Sequence, residues 1–60
     1  MFSDLVPGMV VRHPDREDWG LGQVQSVDGN RVTVNFEHAG KHLINTAVIA
    51  LVPVQRDVRR

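Results

Sequence analysis

The segment from residue 31 to residue 36, Arg-Val-Thr-Val-Asn-Phe, alternates polar and apolar residues without a break. This alternation predicts a β-strand that is buried on one face, with Val32, Val34 and Phe36 inside. Asp28-Gly29-Asn30 precedes the strand, and the Gly-containing stretch 37–40 follows it. Gly and Asn both tolerate the backbone conformations of a two-residue hairpin loop. A strand held between two hairpins predicts an antiparallel sheet.

Four further strands are predicted, over residues 9–13, 21–27, 41–45 and 50–54. Residues 46–49 are too few for a stable α-helix, so a 3-10 turn is expected there. Val24 and Val27 lie three residues apart, and keeping both inside requires a β-bulge near Gln25-Ser26. Pro53 fits an edge strand because it donates no hydrogen bond. The pattern predicts an all-β fold, a five-stranded SH3-like barrel.

The length and composition limit what this barrel can do. Sixty residues make a single domain, expected over residues 1–54, with a polar, disordered tail over 55–60. An enclosed ligand pocket of about 300–1,000 Å³ is large for such a chain. No serine lies in a nucleophile motif, and the clustered carboxylates of residues 15–18 lie on a polar loop. We therefore expect a protein without enzymatic activity and without a cofactor.

Metal binding and membrane association are also not expected. The chain has no cysteine, and His13, His38 and His42 lack the spacing of zinc ligands. No apolar stretch approaches the roughly 18 residues that span a bilayer. The first residues lack a basic segment followed by an apolar run, which argues against a secretory signal. A cytoplasmic location is expected.

The charge balance favours a protein partner over nucleic acid. Seven basic and seven acidic residues cancel, whereas domains that bind phosphates usually carry a basic excess. The alternative is a weak nucleic-acid-binding module that uses a basic patch. Open barrels also expose a strand edge, which accepts partner strands and allows either a monomer or a weak homo-oligomer.

Trp19-Gly20-Leu21-Gly22 opens the second strand and admits two interpretations. The glycines permit a turn beside the indole, and Trp19 then closes one end of the barrel, with its N–H bonded to a loop carbonyl. Alternatively, Trp19 is an interface anchor, since tryptophan is frequent at binding hot spots. His13 falls in the apolar phase of the first strand and is expected to support the loop after Pro14.

Seven residues are candidates for partner binding, and their basic members are expected to point outward. The candidates are Arg12, Arg16, Trp19, Arg31, Thr33, Lys41 and His42.

Several motifs together resemble the small DUF3553 family. They are Pro7-Gly8, Val11-Arg12-His13-Pro14, Trp19-Gly20-x-Gly22-x-Val24 and Val32-x-Val34-x-Phe36. The same string is similar to the Tudor-like C-terminal domain of UvrD/PcrA helicases, and more loosely to the RNA polymerase-interacting domain of the CarD family.

The resemblance implies an SH3-like or Tudor-like barrel from a bacterial protein. In the helicase and CarD proteins this module contacts RNA polymerase, largely through a sheet edge. Carried over to this chain, the resemblance implies contacts along residues 31–36 and 41–45. The acidic pair Glu17-Asp18 before Trp19 departs from that pattern.

Overall fold

The computed structural model describes residues 5–54, which form one antiparallel sheet. Its strands are β1 (Val10–Arg12), β2 (Leu21–Asp28), β3 (Arg31–Phe36), β4 (Gly40–Asn45) and β5 (Val52–Pro53). The strand order is β4-β3-β2-β1-β5, so a four-strand meander is extended when the end of the chain returns to β1. The predicted all-β, SH3-like class is confirmed. The tail predicted over residues 55–60 lies outside the described residues.

The core lies on the inner face of the sheet. Strand β3 supplies three of its members, Val32, Val34 and Phe36, as the alternation predicts. Each fully buried Val or Phe side chain stabilises the fold by about 1.5–3 kcal/mol relative to the exposed side chain. The eight buried apolar residues are Leu5, Val11, Val24, Val32, Val34, Phe36, Ile44 and Leu51.

The β-bulge predicted in the second strand is present. The pairing of β2 with β3 shifts between Val24 and Ser26, so Gln25 is the extra residue. Beyond the bulge Val27 pairs with the buried Val32, but the Val27 side chain stays 38% exposed, so of the two valines only Val24 lies in the core. A bulge increases the local twist of a strand and helps a short sheet to curl.

The hairpin between β2 and β3 has the predicted register, with Asp28 opposite Arg31. Gly29 has a φ of 60°, and no residue other than glycine has a positive φ among residues 5–54. Positive φ at the first loop residue alone is the pattern of a type II′ turn. Asn30 therefore supplies the second loop residue without adopting a left-handed conformation.

The 3-10 turn lies elsewhere than predicted. It spans Glu17–Trp19, inside the charged loop. Residues 46–48 instead form a hydrogen-bonded turn, in which the Val48 and Ile49 N–H groups both donate to the Asn45 carbonyl at 3.0 and 2.9 Å. The Asn45 side chain also accepts a hydrogen bond from the Ala47 N–H at 3.0 Å. These hydrogen bonds close a single turn on Asn45, and the turn does not continue as a 3-10 helix.

Substitution of Gly22 by alanine tests the close packing of Gly22 against Val34 and Phe36 on the inner face of the sheet. A Cβ at this buried position would lie 2.5 Å from Val34 Cγ1 and 2.7 Å from the Phe36 ring. Such overpacking lowers the free energy of unfolding by about 1–3 kcal/mol. Urea denaturation followed by Trp19 fluorescence measures the change. The adjacent exposed substitution Gln23→Ala is the control and is expected to stay within about 0.5 kcal/mol of the wild type. Equal midpoints for the two variants would contradict this packing.

Candidate functional site

An aromatic cluster closes one end of the sheet around Trp19. The imidazole of His42 stacks on the indole, with ring centroids 4.2 Å apart and an interplanar angle of 16°. His13 meets the indole edge-on at 5.0 Å, and Phe36 lies at 5.1 Å and 59°. Ring pairs at these distances add about 0.5–1.5 kcal/mol each beyond the area that they bury. Trp19 is half-buried and packs against the core, so the structure supports its architectural role.

Gly20 allows the loop to bring Trp19 to this position. Its φ is 77°, and a Cβ there would lie 2.6 Å from the His38 ring and 2.9 Å from the Glu37 carboxylate. The His38 N–H donates to the Trp19 carbonyl at 3.0 Å, which joins the loop to the turn after β3. The turn predicted beside the indole is therefore present, and its positive φ favours glycine at this position.

His13 supports the charged loop, as expected. Its side chain is 6% exposed, and its Nδ1 accepts a hydrogen bond from the Asp15 N–H at 3.1 Å. An accepting Nδ1 places the proton of the neutral ring on Nε2. By contrast, the hydrogen bond expected from the indole N–H of Trp19 to a loop carbonyl is not found within residues 5–54. Ring contacts hold the indole instead.

Three of the seven candidates come together here: Arg16, Trp19 and His42. The Arg16 guanidinium carbon lies 5.4 Å from the indole centroid, within the range of a cation–π contact. His42 does not point outward as expected. It pairs with Val34 on the inner face of the sheet, because Ile44, two residues further along β4, is buried. Lys41 and His42 are neighbours on one strand and must face opposite sides.

The four remaining candidates are exposed or half-exposed on the outer face but do not form one patch. Arg12 lies on β1, two strands away from β3. Arg31 pairs with Asn45, and Lys41 pairs with Asn35, at opposite ends of the β3–β4 pair. At a rise of about 3.3 Å per residue, those two positions are roughly 13 Å apart along the strands. Thr33 lies between them, opposite Leu43.

Strand β4 forms one edge of the sheet, and its outer side is unpaired within residues 5–54. The Thr46 N–H donates to the Asn30 carbonyl at 2.8 Å, one step beyond the Arg31–Asn45 pair. Hydrogen-bonded and non-hydrogen-bonded pairs alternate in antiparallel strands. His42 and Ile44 therefore bond to β3, whereas Lys41 and Leu43 direct their N–H and C=O groups toward the free edge.

The stretch of β4 that can pair with another strand ends before Asn45. The Asn45 carbonyl already accepts two hydrogen bonds from the following turn. Within residues 5–54, Lys41 and Leu43 are thus the edge residues whose N–H and C=O groups are both unpaired. The Leu43 side chain is 64% exposed in the middle of the edge. It borders an open recess of about 330 Å³, whose lining is Asn30, Arg31, Leu43, Asn45 and Ala47.

Leu43 is absent from the seven candidates, although the sequence contains a signal for it. Leu43 and Ile44 are consecutive apolar residues in a predicted strand, and consecutive strand residues face opposite sides. One of the two must be exposed unless both faces are covered. The signal does not say which one, because that depends on the register with β3.

The other segment implied by the resemblance, residues 31–36, cannot offer an edge. β3 is paired with β2 on one side and with β4 on the other. The opposite edge of the sheet is β5, which has two residues and contains Pro53. Proline at an edge removes a donor and discourages pairing. Of the two edges, only β4 offers a longer strand without proline.

A wider open groove of about 670 Å³ crosses the outer face of the sheet. Glu37 is the only titratable residue in its lining, and the Glu37 carboxylate accepts a hydrogen bond from the Leu21 N–H at 3.2 Å. Acid–base chemistry generally needs two groups with separated pKa values. The groove is lined by Val10, Leu21, Gly22, Gln23, Asn35, Phe36, Glu37 and Gly40.

Residues 5–54 contain neither a metal-binding cluster nor a membrane-spanning helix. No group of three or more His, Cys, Asp or Glu side chains is placed to hold a metal ion. No helix in the same range is long and apolar enough to cross a membrane.

Comparison with known proteins places the chain in a family. The family described as "Protein of unknown function (DUF3553)" matches residues 5–54, the same range as the sheet and its loops. The chain belongs to the DUF3553 family. No curated protein matches this DUF3553 domain, and no solved structure matches it.

Substitution of His42 by alanine tests the stacked ring. Loss of the contact with Trp19 is expected to lower the free energy of unfolding by about 1 kcal/mol. Trp19 is the single tryptophan, so its fluorescence reports urea unfolding directly. Lys41→Ala, on the adjacent exposed position, is the matched control and should change stability by less than about 0.5 kcal/mol. If both variants unfold at the same urea concentration, the stack does not stabilise the domain.

Proposed function

We propose that this DUF3553 domain is a non-enzymatic protein-interaction module that binds an extended segment of its partner along β4. The observation that carries the proposal is the free edge, where Lys41 and Leu43 present unpaired N–H and C=O groups beside an exposed leucine. In this mode of recognition, backbone hydrogen bonds supply affinity, and alternate side chains supply specificity.

The difference between the two edges of the sheet supports this choice. Natural proteins protect edges with short strands, proline or charge, because bare edges pair with other chains. β5 is protected by its length of two residues and by Pro53. β4 is six residues long, has no proline and carries Leu43 at its centre, with Lys41 as its one charged side chain. An exposed apolar residue beside unpaired edge groups supports binding of a partner strand that covers it.

RNA polymerase is the first partner to test. The support is the sequence resemblance to the Tudor-like domain of UvrD/PcrA helicases and to the CarD domain, in which a sheet edge contacts the polymerase. On this proposal the domain acts in the bacterial cytoplasm, with the transcription or repair machinery. The alternative of nucleic-acid binding has less support, because Arg12, Arg31 and Lys41 lie apart on the outer face.

The matched variants Leu43→Pro and Leu43→Ala test the docking edge. Both remove the leucine side chain, but only proline also removes the N–H that points to the free edge. The Leu43 N–H takes no part in the pairing with β3, and an edge strand tolerates proline at such a position. We expect Leu43→Ala to weaken partner binding, and Leu43→Pro to weaken it a further 5- to 100-fold or so, since a partner carbonyl then stays unpaired.

The measurement is binding of the tagged domain to purified bacterial RNA polymerase, together with capture from lysate of the source organism. Circular dichroism and urea unfolding verify that both variants are folded. If Leu43→Pro and Leu43→Ala bind a partner equally well, the proposal that the partner pairs with the backbone of β4 is wrong. If the wild type and Leu43→Ala capture a different protein and Leu43→Pro does not, RNA polymerase is not the partner, while the docking edge stands.

A further inference from the structure

We infer that the segment bound at β4 carries an apolar residue opposite Leu43 and an acidic residue two positions away on each side. The inference rests on the proposed function and specifies the chemistry of the partner. It follows from how β4 and β3 place three side chains on the outer face beside the free edge: Lys41, Leu43 and Arg31.

The central position is set by the backbone. Leu43 forms a non-hydrogen-bonded pair with Thr33, so its own N–H and C=O are available to the incoming strand. The partner residue opposite Leu43 shares its face of the sheet, with Cβ atoms about 4.5–5.5 Å apart. Because Leu43 is 64% exposed and borders the 330 Å³ recess, an apolar side chain there covers the leucine and has room to lie beside it.

The flanking positions are set by charge. Lys41 precedes Leu43 by two residues and therefore lies opposite the partner side chain two positions from the apolar one. Arg31 lies at the other end, directly across from Asn45 on β3, where its long side chain can extend over the short Asn45 toward the partner. Along the strand direction, Lys41 on β4 and Arg31 on the neighbouring β3 thus lie on opposite sides of Leu43.

Within residues 5–54, neither cation has a carboxylate within 4.0 Å. Among residues 5–54 the single pairing of a carboxylate with a basic side chain is Glu37 with His38, at 4.0 Å. Asp28 faces Arg31 across the β2–β3 pair, but their charged groups are not within 4.0 Å. Opposite charges that face each other across strands stabilise the pairing, and like charges oppose it.

The resulting recognition pattern is acidic–x–apolar–x–acidic over five residues. The two x positions face the other side of the sheet, next to His42 and Ile44. The pattern reads the same in both chain directions, so it applies to a parallel and to an antiparallel partner strand. A second copy of this chain could occupy the same edge, and the measurement of dimerisation described below distinguishes that case.

The test uses fluorescein-labelled eleven-residue peptides and fluorescence anisotropy. The probe peptide contains Glu-Thr-Leu-Thr-Glu at its centre, and two comparison peptides contain Lys-Thr-Leu-Thr-Lys and Glu-Thr-Asn-Thr-Glu. The wild-type domain is expected to bind the acidic leucine peptide at least about tenfold more tightly than either comparison. The preference for glutamate over lysine is expected to shrink at high salt, while the preference for leucine over asparagine persists.

Charge-reversal variants identify the residues responsible. Lys41→Glu and Arg31→Glu are each expected to weaken binding of the acidic peptide and to strengthen binding of the lysine peptide. Arg12→Glu makes the same change of charge on β1, away from β4, and is expected to leave the order of the three peptides unchanged. Loss of the preference in Arg12→Glu as well would mean that net charge, and not position, selects the peptide.

The outcomes separate this inference from the proposed function. If the three peptides bind equally well, or none binds, the recognition pattern is overturned. The docking edge is tested separately: it stands if Leu43→Ala captures the partner and Leu43→Pro does not. If Leu43→Pro captures the partner as well as Leu43→Ala does, the docking edge itself fails. If the wild type dimerises in analytical ultracentrifugation and Leu43→Pro does not, the occupant is a second copy, and the pattern is overturned.

Discussion

The pairing of β3 with both of its neighbours is the constraint on which the rest of this domain depends. β3 places Val32, Val34 and Phe36 in the core and sets the register of β2 and β4 at once. A slip of one residue would move every side chain of a strand to the opposite face. Burial of β3 thereby decides that His42 lies inside and that Leu43 lies outside.

The two faces of β4 consequently have separate roles. On the inner face, His42 completes the stack on Trp19, which rests in turn on Phe36 at the end of β3. On the outer face, Lys41 and Leu43 keep their side chains and their free backbone groups accessible. The family motif around Trp19 thus belongs to the framework that holds β4 in place, and the proposed docking surface lies on the strand that this framework supports.

Membership in the DUF3553 family covers the whole described fold, but it does not name a partner. The physical case for a partner comes from the difference between the two sheet edges. Pro53 and a length of two residues protect β5, while β4 leaves an exposed leucine between cations that have no carboxylate within 4.0 Å in residues 5–54. A binding surface built in this way needs no deep pocket.

Local patterns in the sequence determined the strands, the bulge after Val24 and the turn at Gly29-Asn30, because alternation and turn chemistry act over a few neighbouring residues. The patterns misplaced the 3-10 turn: residues 46–48 form a single turn closed on the Asn45 carbonyl, and the 3-10 turn lies at Glu17–Trp19. They also did not distinguish Leu43 from Ile44. Only the tertiary structure decided which strand is an edge, which face of β4 is covered and what surrounds Trp19, because these depend on contacts between residues far apart in the chain.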